Sequence, residues 1–358
     1  MLHIGIKSAK RVDICRFISR ILGIEQVLDL VCTENDNGFS PIHLACEICD
    51  SNQLTVILGL IAKTSKHLID LLSEKASRTG ATVFQIAVLH GNGKVIMQCI
   101  SPFIGASPAS CSQEHVHLLN IGDDQGFTPI HIAADNMLTH TVLKEMLQLA
   151  PSEQRLALLT ARTKRKGDTP IRIAARKHCG KLVECLMALM RQEEIELLLN
   201  ARNNNKGCTP IHMAACYDHH WSTIVKMLQL IPPAQRLTLL TTETFEGDTL
   251  IHMAARSGAS VKYLTEALSP DYFQDLLITC KIDGQTPIHT AAAKPTASTL
   301  KGMLCMLSAE QIMPSLDMRD SNGDNAFHIA ARGCGSEVIK FLCSSGTLKM
   351  NCNASYSS

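Results

Sequence analysis

Long apolar runs, aromatic residues and net charge are all scarce in this chain of 358 residues. The longest nearly uninterrupted apolar run, residues 56–62, is far shorter than the roughly 20 residues that a membrane-spanning helix needs. No charged segment precedes an apolar stretch in the first eleven residues, so we expect neither membrane insertion nor a cleaved signal peptide. With 4% aromatic residues and one Trp, the core must be mainly aliphatic.

The charge balance and the cysteines narrow the class of protein further. A formal net charge of +1 provides no general attraction to nucleic acid, and we expect no nucleic-acid partner. Many of the 15 cysteines stand inside apolar helical patterns such as VECLMALM, which favours reduced thiols in a cytoplasmic compartment over a disulfide framework. We expect a monomer.

A polar turn followed by an apolar helix start recurs along the chain. The pattern GFTPIHIAADN at Gly126 returns as GDTPIRIAARK, GCTPIHMAACY, GDTLIHMAARS, GQTPIHTAAAK and GDNAFHIAARG. The turn glycines are Gly38, Gly80, Gly126, Gly167, Gly207, Gly247, Gly284 and Gly323, with spacings of 37 to 46 residues. A period held over eight units, here called units one to eight, predicts a solenoid.

Each part of the pattern has a structural reason. Glycine permits the unusual backbone of a tight turn, Thr or Ser caps the following helix, and Pro suits the first helical position because its missing N–H would be unpaired there. The paired alanines allow close helix packing, and a second amphipathic helix follows after four to seven residues. The unit is predicted to be helix, turn and helix.

This pattern resembles the ankyrin repeat, whose signature is Thr-Pro-Leu-His with two alanines, over about residues 38–350. The resemblance implies an all-α solenoid of helix pairs joined by outward β-hairpin fingers, with a concave surface that grips another protein. We predict an N-terminal helical cap at residues 1–34, the ankyrin-repeat array at 35–350 and a flexible tail at 351–358. The sequence has no Ser-His-Asp order, phosphate-binding glycine loop or metalloprotease helix, so we expect no catalytic residue, cofactor or metal.

The units are longer than the roughly 33 residues of an ordinary ankyrin repeat. Units three and five continue as LAPSEQRLALLTAR and LIPPAQRLTLLTTE, which predicts an additional short helix, and related sequences occur in units six and seven. Unit two lacks Thr-Pro and His, and its insertion at 100–115 is rich in Ser and Pro, which predicts an exposed loop.

Several polar residues allow more than one interpretation. The resemblance implies structural roles for the signature histidines, which are His43, His131, His212, His252, His289 and His328. The pair Cys46 and Cys49, and the group Cys216, His219 and His220, leave a metal or redox site as an alternative, although no fourth zinc ligand is evident. A cryptic enzyme is therefore retained only as an alternative.

The candidate partner-binding residues come from repeat positions on the expected gripping side. The basic stretch of unit four is either a solvated turn or a patch for an acidic partner, and Trp221 is either a core residue or an interface anchor. The predicted set is Arg162, Lys164, Arg165, Lys166, Arg172, Arg176, Asn204, Trp221, Phe245, Arg256 and Arg332, with the last two arginines following the paired alanines as Arg176 does.

These features predict a protein-binding module and no enzyme. The long units with P-x-x-Q-R-L-x-L-L insertions are similar to ankyrin-repeat effectors that intracellular bacteria inject through type IV secretion systems. That resemblance implies a host protein as partner and translocation into the host cell without a cleaved signal peptide. An ordinary eukaryotic cytosolic or nuclear ankyrin scaffold is the alternative.

Overall fold

The structure is a computed structural model, and it describes most of the repeat array. The described residues are 26, 29, 32–48, 54–55, 58–59, 65–100, 112–136, 140–177, 179–217, 222–258, 275–333 and 335–344. The predicted tail at 351–358 and nearly all of the predicted cap at 1–34 lie outside them. The domain boundaries therefore remain predictions.

The described helices with both ends defined fall into three kinds. The first helices follow the turn glycines, and they are α1 Pro41–Ile48, α3 Val83–Leu89, α6 Pro129–Asp135, α9 Pro170–Arg176, α12 Pro210–Tyr217, α15 Leu250–Ser257, α16 Pro287–Ala292 and α19 Ala326–Arg332. The second helices are α4 Gly93–Ile100, α7 His140–Leu149, α10 Gly180–Met187, α13 Ser222–Gln229, α17 Ser298–Leu304 and α20 Ser336–Ser344. The third helices, which precede the next turn, are α2 Ser65–Ser73, α5 Ser112–Asn120, α8 Ser152–Thr160, α11 Gln192–Leu199, α14 Pro233–Leu240 and α18 Ala309–Asp317.

All of these helices are short. The longest, α7, has 10 residues and the shortest, α16, has 6. A helix of that length extends only about 15 Å, whereas the hydrocarbon core of a bilayer is about 30 Å thick. Among the residues that the structure describes, no helix is both long and apolar enough to cross a membrane.

The third helix is a regular part of the unit. The additional helix predicted in units three and five is present as α8 and α14, and units one, two, four and seven have one as well. Helix α5 also corrects the prediction of a loop at 100–115, because the last four of those residues are helical and His115 is buried. Residues 101–111 lie outside the described part of the chain.

Two sequence features explain the third helix. The first is a buried leucine pair, which occurs as Leu71 and Leu72, Leu118 and Leu119, Leu158 and Leu159, Leu198 and Leu199, and Leu239 and Leu240. The second is the arginine of the Q-R-L sequence. Arg155 Nε donates to the carbonyls of Leu147 and Ala150 at the end of α7, and Arg236 Nε donates to the carbonyl of Leu228 in α13. Each arginine satisfies carbonyls that the end of a helix leaves unpaired.

The chain divides into two compact bodies. The first comprises residues 1–174 and 185–194, and the second comprises 175–184 and 195–358. In the first body the first helix α3 contacts the first helices α1 and α6 on either side of it. The second helix α4 contacts the second helix α7, and the third helix α5 contacts the third helices α2 and α8. In the second body α12, α15, α16 and α19 contact in sequence. Within each body, therefore, like helices pack on like helices.

The links to the first helices are tight turns, which corrects the expectation of β-hairpin fingers. In unit three the N–H of Asp123 donates to the carbonyl of Phe127 at 3.0 Å, and the N–H of Gly126 donates to that of Asp123 at 2.9 Å. Within the described residues the backbone forms no β-strand, and an isolated bridge joins Lys75 and Thr82. The third helix ends only a few residues before each turn, as at Asn120 ahead of the bond from Asp123, so few residues are left to extend a hairpin.

The signature histidines are structural, as predicted. In unit six Nδ1 of His252 accepts the backbone N–H of Thr249 at 3.2 Å, and Nε2 lies 3.1 Å from the carbonyl of Gln285 in unit seven. Since the first partner can only donate and the second can only accept, the ring is neutral with its proton on Nε2. His289 bonds to the carbonyl of Asp324 in the same way, also at 3.1 Å. The rings of His131, His252 and His289 thus each join their own helix cap to the next unit.

Where the histidine is absent, another side chain takes its place. In unit two, Oε1 of Gln85 accepts the N–H of Thr82 at 2.7 Å, and Nε2 donates to the carbonyls of Ile121 and Phe127. Gln85 thus reproduces both bonds of the ring without a titratable group. His328 differs from the other signature residues, because its residue is exposed while Nδ1 lies 2.6 Å from Oδ1 of Asn325.

We predict that the array loses stability in mild acid because of its buried histidines. Burial lowers the pKa of His212 and of His252 to about 4, and it also lowers the pKa of His43 and His131. The unfolded chain, with an ordinary histidine pKa near 6.5, binds protons first as the pH falls, so the stabilisation present above that pH is lost between about pH 6.5 and 4. At pH 5 the loss is on the order of 2 kcal/mol for each of His212 and His252.

The measurement is the midpoint of thermal unfolding, followed by circular dichroism, between pH 7 and 5, where most carboxyl groups stay ionised. The matched variant is His212→Gln/His252→Gln, which copies the role of Gln85. This variant should fold, and its midpoint of thermal unfolding should fall less between pH 7 and 5 than that of the intact chain. An unchanged pH dependence would contradict the assignment.

Candidate functional site

The turns of the second body stack directly on one another. The N–H of Phe245 donates to the carbonyl of Lys206 at 2.8 Å, that of Ile282 to Glu246 at 3.4 Å, and that of Ser321 to Asp283 at 2.9 Å. Backbone bonds therefore fix the spacing between successive turns. The exposed residues at their tips, here called the turn row, are Asn204, Asn205, Phe245, Glu246, Ile282, Asp283, Ser321 and Asn322.

The turn glycines make this stacking possible. Gly247 has a φ of +78°, and a Cβ placed on it would lie 2.9 Å from the backbone nitrogen of Ile282 and 3.0 Å from Cα of Lys281. Glycine is needed both for the left-handed backbone and for the close approach of the next turn. The turn row is consequently a rigid backbone surface.

Two large apolar side chains of the turn row face solvent. Ile282 is 79% exposed and Phe245 is 55% exposed, on neighbouring turns joined through Glu246. The Phe245 ring lies against Gly207, since a Cβ placed there would come within 2.6 Å of a ring carbon. The ring is held on one side and open on the other. Asn204, which is also exposed, belongs to the preceding turn.

Two of the arginines that follow the paired alanines are held in ion pairs. Arg256 lies 2.5 Å from Asp248, whose side chain is 2% exposed, and Arg332 lies 2.6 Å from Asp324. The guanidinium groups keep a buried or nearly buried carboxylate paired, which avoids the cost of an isolated buried charge. Arg256 and Arg332 therefore have a structural task, and their role as partner contacts remains a prediction.

The same pairing corrects the assignment of Arg172. Its side chain is 2% exposed and its Nη1 lies 2.6 Å from Oδ1 of Asp168, so it is a core residue and not a surface contact. Arg172 stands where other units have the signature histidine, and the carboxylate of the same unit compensates for its charge.

A comparison of the units shows the rule behind these pairs. Units four, six and eight have Asp directly after the turn glycine and Arg directly after the paired alanines, and the other units have neither. The two residues therefore occur together, eight positions apart. The pairing of Asp with Arg can be read from the sequence. It is missed when each arginine is assigned from its own repeat position, because the aspartate of the same unit must be considered as well.

Further charges link the turn row to the helices of the second body. Nζ of Lys281 lies 3.4 Å from Asp283 at the tip and 4.0 Å from Asp248 below it. Since Asp248 also pairs with Arg256, four charged residues connect a turn tip to the end of α15. Such a network restrains the turn that carries Ile282.

The basic stretch of unit four forms a tip in the first body. Arg162, Lys164, Arg165 and Lys166 are all exposed, and the N–H of Lys164 donates to the carbonyl of Gln125 at 2.9 Å. The structure thus keeps this predicted cluster at the surface. Arg176 belongs to the second body and is partly exposed.

Two of the three thiol groups that were candidates for chemistry, those of Cys46 and Cys216, are buried or partly buried. Cys46 is fully buried in α1, and burial raises the pKa of the Cys216 thiol to about 11. A thiol with that pKa is a poor nucleophile at neutral pH. Cys49, His219, His220 and Trp221 lie outside the described residues. In the part of the chain that the structure describes, no three His, Cys, Asp or Glu residues are placed to hold a metal ion.

Comparison with protein families agrees with this architecture. Residues 251–355 match the family model described as ankyrin repeats in three copies, and residues 206–231 match the model of a single ankyrin repeat. The fold is an ankyrin-repeat solenoid. No curated protein matches the chain significantly. Ankyrin repeats are protein–protein interaction modules, and arrays of them are in general scaffolds without enzymatic activity.

We predict that the turn glycines of the ankyrin array differ in their tolerance of alanine. Gly323→Ala should cost about 1 kcal/mol, because it strains a backbone with φ of +78° but no described atom lies within 4 Å of the added Cβ. Gly247→Ala has the same φ and must also displace the turn of Ile282, so its cost should be at least about twice as large. Urea unfolding of both variants measures the difference. Equal losses would show that the turns are not in close contact.

Proposed function

We propose that the protein binds a protein partner through the turn row, with Phe245 and Ile282 as the apolar anchors. The observation that carries this proposal is the exposure of both side chains on adjacent turns whose backbones are bonded together. Burial of one large apolar side chain stabilises a complex by about 1.5–3 kcal/mol. Anchors of this kind, with a polar surround, are typical of binding hot spots.

The rigidity of the turn row supports the same proposal. The backbone bonds between turns, the contact of Phe245 with Gly207 and the charge network at Lys281 restrain the anchors before any partner arrives. A surface that is already ordered loses less entropy on association. Asn204 and Glu246 provide hydrogen-bonding groups beside the anchors.

The basic tip of the first body is proposed as a separate contact for an acidic surface. Lys164, Arg165 and Lys166 are exposed next to one another, and paired charges across an interface accelerate association and favour one partner over another. Arg256 is not part of this contact, because it belongs to the second body and pairs there with the buried carboxylate of Asp248.

We further propose that the partner is a host protein and that the chain is a bacterial effector translocated by a type IV secretion system. The support is the similarity of the long units and their Q-R-L sequences to those of ankyrin-repeat effectors. Arg155 and Arg236 in these sequences cap the preceding helices. A eukaryotic ankyrin scaffold is the competing proposal, and binding through the turn row is independent of that choice.

We expect Phe245→Ala/Ile282→Ala to lose partner capture while keeping its helical content. The measurement is affinity capture from host-cell lysate with quantitative mass spectrometry, comparing the intact chain with this variant. The matched controls are Leu197→Ala and Met313→Ala, which remove exposed apolar side chains from third helices, 54% and 56% exposed. Proteins captured by the intact chain and both controls should fall at least about tenfold with the double variant. Retention of the same proteins by the double variant would place the interface elsewhere.

Translocation is tested separately with a calmodulin-dependent adenylate cyclase fused to the chain. Expressed in an intracellular bacterium with a functional type IV system, the fusion should raise cyclic AMP in the host cell, and a strain without that system should not. If neither strain raises cyclic AMP while a known effector fusion does, the scaffold proposal replaces the effector proposal.

A further inference from the structure

The dipeptide Asn-Gly occurs three times in the chain, at Asn37, Asn92 and Asn322. It has a chemistry of its own, because the backbone nitrogen of the glycine can attack the side-chain carbon Cγ of the asparagine, and no Cβ on the glycine hinders the approach. The attack needs an unrestrained asparagine side chain and a backbone that can turn toward it. The three sites differ in both respects, so the fold decides which of them reacts.

Asn92 is held in the interior. It is buried directly before α4, its Nδ2 donates to the carbonyl of Cys46 at 3.0 Å, and its N–H donates to the carbonyl of Ala87 at 2.7 Å. Its own carbonyl accepts the N–H groups of Val95 and Ile96 in α4. Both its side chain and its backbone are therefore fixed by bonds that the attack would have to break.

Asn37 and Asn322 form a matched pair at the tips of turns. Both are exposed, and the glycine that follows has a φ of +73° at Gly38 and +78° at Gly323. In each turn the glycine N–H donates to the carbonyl three residues earlier, at 2.8 Å in unit one and 2.9 Å in unit eight. The attack breaks that bond in both turns, so the surroundings of each turn decide how readily it opens.

The turn of unit one is covered by the turn of unit two. A Cβ placed on Gly38 would lie 2.6 Å from Oγ of Ser77 and 3.0 Å from the backbone nitrogen of Arg78. A Cβ placed on Gly323 would meet no described atom within 4 Å. The turn of unit one therefore opens only if the turn of unit two yields, whereas the turn of unit eight opens without that cost.

The charges beside the two glycines are also opposite. Nη1 of Arg319 donates to the carbonyl of Gly323 at 2.9 Å, which places a guanidinium on the reacting glycine. The equivalent residue of unit one is Glu34, which accepts the N–H of Ser77 at 2.7 Å. A positive charge favours the anion that the glycine nitrogen forms when it loses its proton, and a negative charge opposes it.

Two carboxylates lie near the turn of unit eight as well. Oδ1 of Asp320 accepts the N–H groups of Asn322 and Asp324 at 2.9 and 3.0 Å, and Asp324 pairs with Arg332 at 2.6 Å. Because both carboxylates are engaged in these bonds, their opposition to the anion is reduced.

We propose that Asn322 is a site of spontaneous deamidation, while Asn37 and Asn92 react far more slowly. The nitrogen of Gly323 loses its proton and bonds to Cγ of Asn322, and the Cγ–Nδ2 bond breaks with release of ammonia. Water then opens the resulting succinimide ring. Cleavage of the new bond to Cγ gives aspartate, and cleavage of the former backbone bond gives isoaspartate.

The products change the turn row, to which Asn322 belongs. Both add a negative charge, and isoaspartate also adds a methylene group to the backbone of the tip. The turn row already has the exposed carboxylates of Glu246 and Asp283, so the converted chain favours a more basic partner than the unconverted chain. This consequence rests on the proposed turn-row interface, whereas the conversion itself does not.

The test follows deamidation in the purified full chain, without a partner, at neutral pH and physiological temperature. Tryptic peptides are quantified by mass spectrometry at successive times, and Asn322 is measured on the peptide 320–332. Asn322 should convert at least about tenfold faster than Asn37 and Asn92, because its turn opens at lower cost. In concentrated urea the three sites should convert at similar rates, because the unfolded chain presents the same dipeptide at each.

Two variants test the groups that act on the reaction. Gly323→Ala adds a methyl group beside the attacking nitrogen and should slow the conversion of Asn322 by about tenfold. Arg319→Gln keeps a side-chain N–H near the glycine carbonyl but removes the charge, so it should also slow the conversion. The matched control is Arg202→Gln, at the equivalent position of unit five, which should leave the rate unchanged.

The proposal is overturned if Asn37 or Asn92 converts as fast as Asn322 in the folded chain, or if Asn322 converts only in urea. An unchanged rate in Gly323→Ala would also overturn it, because the glycine nitrogen would then not be the attacking group. Failure of the turn-row interface would appear in the capture experiment and would leave these rates unaffected.

Discussion

The stack of units depends on a hydrogen bond that no unit can make alone. A buried histidine accepts the N–H of its own helix cap on Nδ1 and donates from Nε2 to a carbonyl of the following unit, as His252 does toward Gln285. The bond requires a neutral ring, a tight turn before the helix and a neighbouring turn at a fixed distance. Gln85 satisfies the same requirement in unit two, which shows that the geometry of the two bonds, and not the imidazole itself, is what the fold needs.

Once that bond fixes the distance between units, the turns must be stacked closely. Glycine is then required for two reasons at a position such as Gly247, and the backbone N–H of each tip can reach the carbonyl of the tip before it. The tips are left with side chains that no neighbour covers. Their residue types are therefore free to vary, which explains how Phe245 and Ile282 can be exposed on a scaffold that is otherwise uniform.

The repeated elements could be predicted from the sequence because every unit shows them again. The first helices, the signature histidines and the helices of the Q-R-L sequences were all recognisable by position. The third helices of units one, two and four were missed, since they are marked by a leucine pair such as Leu198 and Leu199 and not by a shared motif. The burial of the Arg172 side chain could not be predicted from its position alone, because it depends on the carboxylate of Asp168, four residues earlier, which pairs with the guanidinium. For the site, Phe245 was predicted and Ile282 was not, as a lone isoleucine in a turn has no distinguishing pattern.

The position after the paired alanines, or after the two residues that replace them in units one and two, shows how one scaffold supports different surfaces. It holds Glu47 and Leu89 in the first body, where the side chains face an open groove, and Arg256 and Arg332 in the second body, where each faces an aspartate. In units six and eight the Asp that follows the turn glycine thus neutralises the arginine of its own unit. A glutamate at this position has no such partner, since unit one has Phe39 after its glycine. The charge that a unit offers to a partner is therefore decided by two residues together, and a single residue type at the surface is not sufficient to identify a contact.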